Sequence, residues 1–186
     1  SNNNGTSNDY TITSSSTVQA YRDFTIPAGT TAASPAILSF DWRSQGESCC
    51  DYFRVWLVPT TFVPVAGTQI TAGTGRIQIG GNMNLQSGWQ SYVNTNVNLS
   101  SFAGTTMRLV FEWKNDGSIG TQPPAAIDNI NLLIPTCKVP TALAVGTVTA
   151  TGAILNWTAP NPAPANGYQY YVSTSPTPPV ATTIPT

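Results

Sequence analysis

The sequence contains no histidine. Its absence removes the side chain that most often moves a proton at neutral pH, and with it every nucleophile–histidine pairing. Cys49 and Cys50 have no imidazole to draw out a thiolate. Charge is scarce too: 8 % of residues are charged, against about 25 % in an average domain. The seven basic residues are scattered, so nothing forms the cationic stripe that neutralises phosphates, and no nucleic-acid partner is expected. Polybasic attachment to lipid fails for the same reason. No apolar run approaches the ~20 residues that span a bilayer, so no direct membrane insertion is expected. Gly73, Gly75, Gly80 and Gly81 fit no phosphate-cradling motif and read as turns. No basic n-region or apolar h-region opens the chain, and the expectation is a processed segment whose ends both fall inside a longer polypeptide.

Aromatic residues, by contrast, are plentiful: five Trp, seven Tyr and six Phe, within a 40 % apolar composition. That supplies a packed core despite the many Ser, Thr and Asn. The pattern is period two throughout, and nothing holds helical periodicity for three turns. Leu38, Phe40 and Trp42 share one face of a strand, with Ser39, Asp41 and Arg43 opposite. Phe53, Val55 and Leu57 oppose Tyr52, Arg54 and Trp56, and Met107, Leu109, Phe111 and Trp113 oppose Arg108, Val110, Glu112 and Lys114. Weaker strands are expected at Tyr10–Thr13, Thr17–Ile26, Gln69–Ile79, Trp89–Val97 and Ala125–Ile134, punctuated by Pro27-Ala-Gly29, Gly80-Gly-Asn82, Asn115-Asp-Gly117 and Gln122-Pro-Pro124. About eight strands without a helix predict an all-β fold of two packed antiparallel sheets, a β-sandwich of jelly-roll type.

The composition breaks at Ile134-Pro-Thr-Cys-Lys-Val-Pro140, and no charged residue follows Lys138. A new alternation begins with Leu143, Val145 and Val148, then Ala153, Leu155 and Trp157, then Tyr168, Tyr170 and Val172. Three strands of a seven-strand sandwich cannot bury their own inner face. The expected organisation is a jelly roll over 1–135, a linker over 136–140 and a partial immunoglobulin-like sandwich, strands A to C, over 141–186.

Two stretches carry a family resemblance: Phe40-Asp-Trp-Arg-Ser-Gln-Gly-Glu-Ser with Asp51-Tyr-Phe-Arg-Val-Trp-Leu-Val-Pro59, and Arg108 through Ile130 ending in Ala126-Ile-Asp-Asn-Ile130. Over roughly residues 7–134 the chain resembles the jelly-roll modules, related to MAM and cleaved-adhesin domains, of secreted Bacteroidota proteins. Val139-Pro-Thr-Ala-Leu through Ala153-Ile-Leu-Asn-Trp157, with Gly167-Tyr-Gln-Tyr170, resembles the first half of a fibronectin type III domain, in which Trp157 would pack on Tyr170 or Tyr168. The resemblance implies a large exported protein, of a kind that often leaves the cell by type IX secretion. It also implies a structural Ca²⁺, with Asp128 as the leading ligand and Asp41, Glu47 and Asp51 as co-ligands. The competing reading of these carboxylates is ion pairing with Arg43, Arg54 and Arg108.

Asp41, Glu47, Asp51 and Glu112 are also the carboxylates from which a glycosidase pair would be drawn. The clustered Glu-x-Asp-x-x-Glu strand of jelly-roll glucanases is absent, and the chain is expected not to be an enzyme. Trp56, Trp89 and Tyr92 are the candidate sugar-stacking residues, while Trp42 and Trp113 fall on core faces. Trp56, beside Tyr52 and Arg54, lines either a concave sheet or a second core layer. Of the three cysteines, either Cys49 or Cys50 joins Cys137, closing a long loop with about 4–5 kcal/mol of loop-entropy stabilisation, or all three stay reduced and buried. A bridge between the adjacent Cys49 and Cys50 strains the peptide between them.

The function expected is that of a non-catalytic extracellular adhesin or surface-filament segment, secreted or attached to the outer cell surface. Its expected partners are cell-surface glycans, other surface proteins or copies of itself. The alternatives are a carbohydrate-binding accessory module of an exported hydrolase and a plain spacer.

Overall fold

The computed structural model describes residues 7–135, 139–160, 163–164, 167–175, 177–178, 180 and 184. The chain divides into two compact units, Ser1–Thr136 and Cys137–Thr186. Among the described residues each is all-β and antiparallel, apart from a single 3-10 turn at Ser100–Phe102.

The first unit contains β1 (Ser16–Thr25), β2 (Ala36–Ser44), β3 (Tyr52–Pro59), β4 (Ile77–Met83), β5 (Gln86–Val97), β6 (Thr106–Asn115) and β7 (Ala126–Leu133). They form a four-stranded sheet A in the order β1-β6-β3-β4 and a three-stranded sheet B in the order β5-β2-β7. The inward faces are the ones the alternation marks. Leu38 and Phe40 of sheet B enter one core with Phe53, Val55, Leu57, Leu109, Phe111 and Trp113 of sheet A. Phe40 packs edge-on against Phe111 and Phe53, at ring-centre distances of 5.6 and 6.1 Å. Its burial, like that of each large apolar residue here, is worth about 1.5–3 kcal/mol. Trp42 and Trp113 join this core as expected.

Sheet A is covered on its outer side as well. The connection between β3 and β4 folds back, so that Ile70 and Phe62 pack on Trp56, Val58 and Val110. In this second layer the Glu112 carboxylate accepts from Ile70 N (2.7 Å), Arg54 Nε (3.1 Å) and Gln19 Nε2 (3.3 Å). Arg54 Nη2 donates both to Glu112 and to the Ile70 carbonyl. The buried pair thus pins the loop to the sheet through both backbone groups of one residue. On the same face Arg108 grips Asp23 at 2.7 and 2.9 Å.

Three expected elements differ. Tyr10–Thr13 is not a strand, because the Gln122 side chain takes up the backbone N–H and C=O of Tyr10 at 3.1 and 2.7 Å in place of a ladder neighbour. The strand expected at Gln69–Ile79 begins only at Ile77 and runs on to Met83, through the Gly80-Gly-Asn82 stretch expected as a turn. The register against β3 jumps there from Met83 opposite Phe53 to Ile79 opposite Val55, so the glycines form a bulge within the strand. Gly80 has a φ of +75°, and a Cβ on it would lie 3.0 Å from the Tyr92 hydroxyl.

The second unit pairs β8 (Thr141–Val148) with β9 (Ala153–Thr158). Its expected third strand, Tyr168 to Val172, has no strand geometry. Trp157 nevertheless meets Tyr168 edge-to-face at 5.4 Å. Both strands are exposed along their whole length.

Candidate functional site

Two surfaces of the first unit gather chemistry. One is the loop between β2 and β3. Gly46 leaves β2 with a φ of +53° and bridges Thr121, and a Cβ there would come within 2.5 Å of the Asp51 carbonyl. Only glycine fits both the conformation and the approach. Glu47 N then bonds the Asp51 carbonyl at 3.4 Å, and Asn84 Nδ2 donates to the Glu47 carbonyl at 2.6 Å. The loop closes on itself, and inside it Cys49 and Cys50 are disulfide-bonded to each other. This corrects both expectations for these two residues, the pairing with Cys137 and the reduced state. The loop is tied at both ends, by Gly46 to Thr121 and by Glu47 N to the Asp51 carbonyl. Cys137 lies outside the described residues.

The loop brings carboxylates together. Asp51 is fully buried, accepting from the Tyr10 hydroxyl (2.7 Å) and from Asp116 N (2.9 Å). Single oxygens of Glu47, Asp51 and Asp116 all lie within 4.8 Å of one another. Burial, together with the charges of Asp116 and Asp51, raises the Glu47 pKa, and Lys114 offsets this only in part. Burial first, then the Asp51 hydrogen bond and charge, push the Tyr10 phenol far above its ordinary range. Asp116 is held low by Ser118, whose hydroxyl and backbone N–H both donate to it. Among the described residues Glu47 Oε1 is buried without a hydrogen-bond donor. An all-oxygen donor set with an orphaned carboxylate oxygen fits a hard cation such as Ca²⁺.

The expected ligands therefore separate. Glu47 and Asp51 meet, and Asp116, read from sequence only as part of a turn, joins them. Asp128 and Asp41 do not. They pair across β7 and β2 on the outer face of sheet B, whereas Glu47 and Asp51 lie beyond the end of β2. Glu112 is committed to Arg54.

That outer face is the second surface. Asp41 accepts from Ser91 Oγ (2.6 Å) on β5 and from Asn129 Nδ2 (2.7 Å) on β7. These bonds, Asn129's the larger, hold its pKa below the usual carboxylate value. Trp89 is 50 % exposed, with the Arg43 guanidinium 5.4 Å from its ring centre. Arg43 Nε is buried and has no acceptor among the described residues. Asp128 and Asn131 continue the face on β7. Of the three aromatic candidates only Trp89 belongs here. Trp56 is 3 % exposed, sealed by the Ile70 loop. Tyr92 points inward, because it stands opposite Phe40 and stacks on it at 4.8 Å.

No protein-family model matches the chain, and no curated protein matches it.

Proposed function

We propose that the chain is a non-catalytic binding segment of a secreted bacterial surface protein, adhering through the outer face of sheet B to cell-surface glycans. The observation that carries this reading is Trp89. It is a half-exposed indole backed by Arg43, beside a carboxylate whose orientation is fixed from both neighbouring strands. Aromatic faces stack on the C–H surface of sugar rings, and planar Asp, Asn and Arg groups hydrogen-bond adjacent hydroxyls. The same face would serve the alternative, an accessory module that anchors an exported hydrolase to its polysaccharide.

On this reading the first unit is a jelly-roll module of MAM-like, cleaved-adhesin-like type. The second is the opening part of a fibronectin type III domain, with Trp157 on Tyr168 as its supporting contact. The β2–β3 loop holds a structural Ca²⁺ through Glu47, Asp51 and Asp116, whose role is to fix the loop. An array of bacterial surface glycans and storage or cell-wall polysaccharides tests the binding. Binding to surface glycans that Trp89→Ala abolishes supports the adhesin, and binding confined to hydrolase substrates supports the accessory module. Silence on every glycan, or binding indifferent to Trp89→Ala, removes both.

A further inference from the structure

Sheet B has one strand fewer than sheet A, and the second edge of β7 has no neighbour among the described residues. Across the side of the sandwich from β7 lies β1, the edge of sheet A. Three cavities of about 420, 160 and 600 Å³ follow one another along this side. The first two share Val18, Trp113 and Ala125, and the last two share Phe111, so they form one continuous seam. Its walls are Val18, Ala20 and Phe24 of β1 and Ile127, Ile130 and Leu132 of β7. Val18 and Ile130 stand 58 % and 47 % exposed although they line the same cavities as core aromatics.

The first cavity is bordered by the polar segment 8–11, Asp9 included, and the third by two charged residues of β1, Arg22 and Asp23. Arg22 lies opposite Leu109, on the core-facing side of β1 with Val18, Ala20 and Phe24. The adjacent Asp23 faces the other way and is engaged twice by Arg108, so Arg22 has no salt bridge among the described residues. An apolar trough beside a free strand edge is matched by an extended peptide, which alone supplies backbone partners along its length. Its side chains alternate, so one set enters the trough. The Arg22 guanidinium at the third cavity is solvent-exposed in the free chain; an added strand would strip its water, and a carboxylate in that set would replace it. A strand lacking it would bury Arg22 uncompensated.

We infer that the seam between β1 and β7 accepts an extended strand from a partner polypeptide. The strand adds to β7 as the fourth of sheet B, lays alternate apolar side chains over Val18, Ala20 and Ile130, and brings a carboxylate to Arg22. This surface is separate from the Trp89 face, so the two readings stand or fall independently.

Two blocked ten-residue peptides serve as probes. Both alternate valine with threonine; one has a glutamate on the valine face and the other a glutamine there. Fluorescence anisotropy of the labelled peptides on the full chain is expected to give saturable binding, tighter for the glutamate peptide. Arg22→Gln should weaken the glutamate peptide about tenfold, the loss of one charged hydrogen bond, and tighten the glutamine peptide, which no longer buries an unpaired charge. Ile130→Lys, at a site already half-exposed, should weaken both, and circular dichroism of each variant should match the parent. No saturable binding up to millimolar peptide, or an Arg22→Gln effect equal for both peptides, overturns the inference. Light scattering of the free chain should show a monomer. A dimer that Ile130→Lys dissociates would mean a second copy fills the seam, and would overturn the partner strand.

Discussion

Replacing Glu112 by glutamine removes one negative charge from a side chain with no solvent exposure and leaves the Arg54 guanidinium, itself only 12 % exposed, without a counter-ion. The amide oxygen can take the place of Oε2 and keep the bonds from Ile70 N and Gln19 Nε2, but the NH2 group then stands where Oε1 accepted from Arg54, donor against donor. Stranding one member of a buried pair costs about 3–5 kcal/mol. For a unit of this size that lowers Tm by roughly 10–20 °C. Urea unfolding followed by tryptophan emission measures it, with Trp56 reporting directly because it lies under the same loop. The midpoint should fall with little change in slope. Converting both members to leucine should recover much of the loss, short by about 1–3 kcal/mol for the orphaned Ile70 N–H. A loss below about 1 kcal/mol for Glu112→Gln, the range of an exposed pair, would refute the assignment of Glu112 to structure and reopen it as a chemical group.

Calcium at one hundred times its dissociation constant should stabilise the first unit by about 2.7 kcal/mol, read as a rise in Tm. The folded pKa of Glu47 is raised, so without the cation this group opposes folding at neutral pH and the penalty is relieved as pH falls through that raised value. Protons and cation compete, so the calcium shift should fade on acidification before ordinary carboxylates titrate. Glu47→Gln should abolish it; a Tm indifferent to calcium at every pH removes the site. Non-reducing peptide mapping should find Cys49 and Cys50 closed within one peptide, and free thiols at both positions would contradict the loop geometry.

Alternation makes the core legible in the sequence. Phe40, Phe53 and Phe111 fall inward because apolar residues recur every second position, and strand geometry turns that into one face. The same rule leaves Trp56 open between a concave sheet and a second core layer, since it shares a face with Tyr52 and Arg54. What decides it is the Ile70 loop, which has no periodicity to betray that it folds back. The inward turn of Tyr92 is not legible for a related reason: register sets which face of β5 points inward, and register depends on the partner strand. The carboxylate group was half legible. Glu47 and Asp51 are neighbours in sequence, whereas Asp116 arrives from the far end of β6 and looked only like a turn former. The cysteine pairing was not legible, because nothing in the spacing of Cys49, Cys50 and Cys137 selects the adjacent pair.

The outer face of sheet B is the proposed binding surface. Two-dimensional NMR of the isotopically labelled chain, titrated with the surface glycan that binds best, tests it most directly. Shifts are expected at the Trp89 indole N–H, Ser91, Asp41, Asn129 and Asn131, with the signals of buried Trp56 unmoved. Shifts centred on the β1–β7 seam or on the second unit, with the Trp89 signal unchanged at saturation, would contradict it.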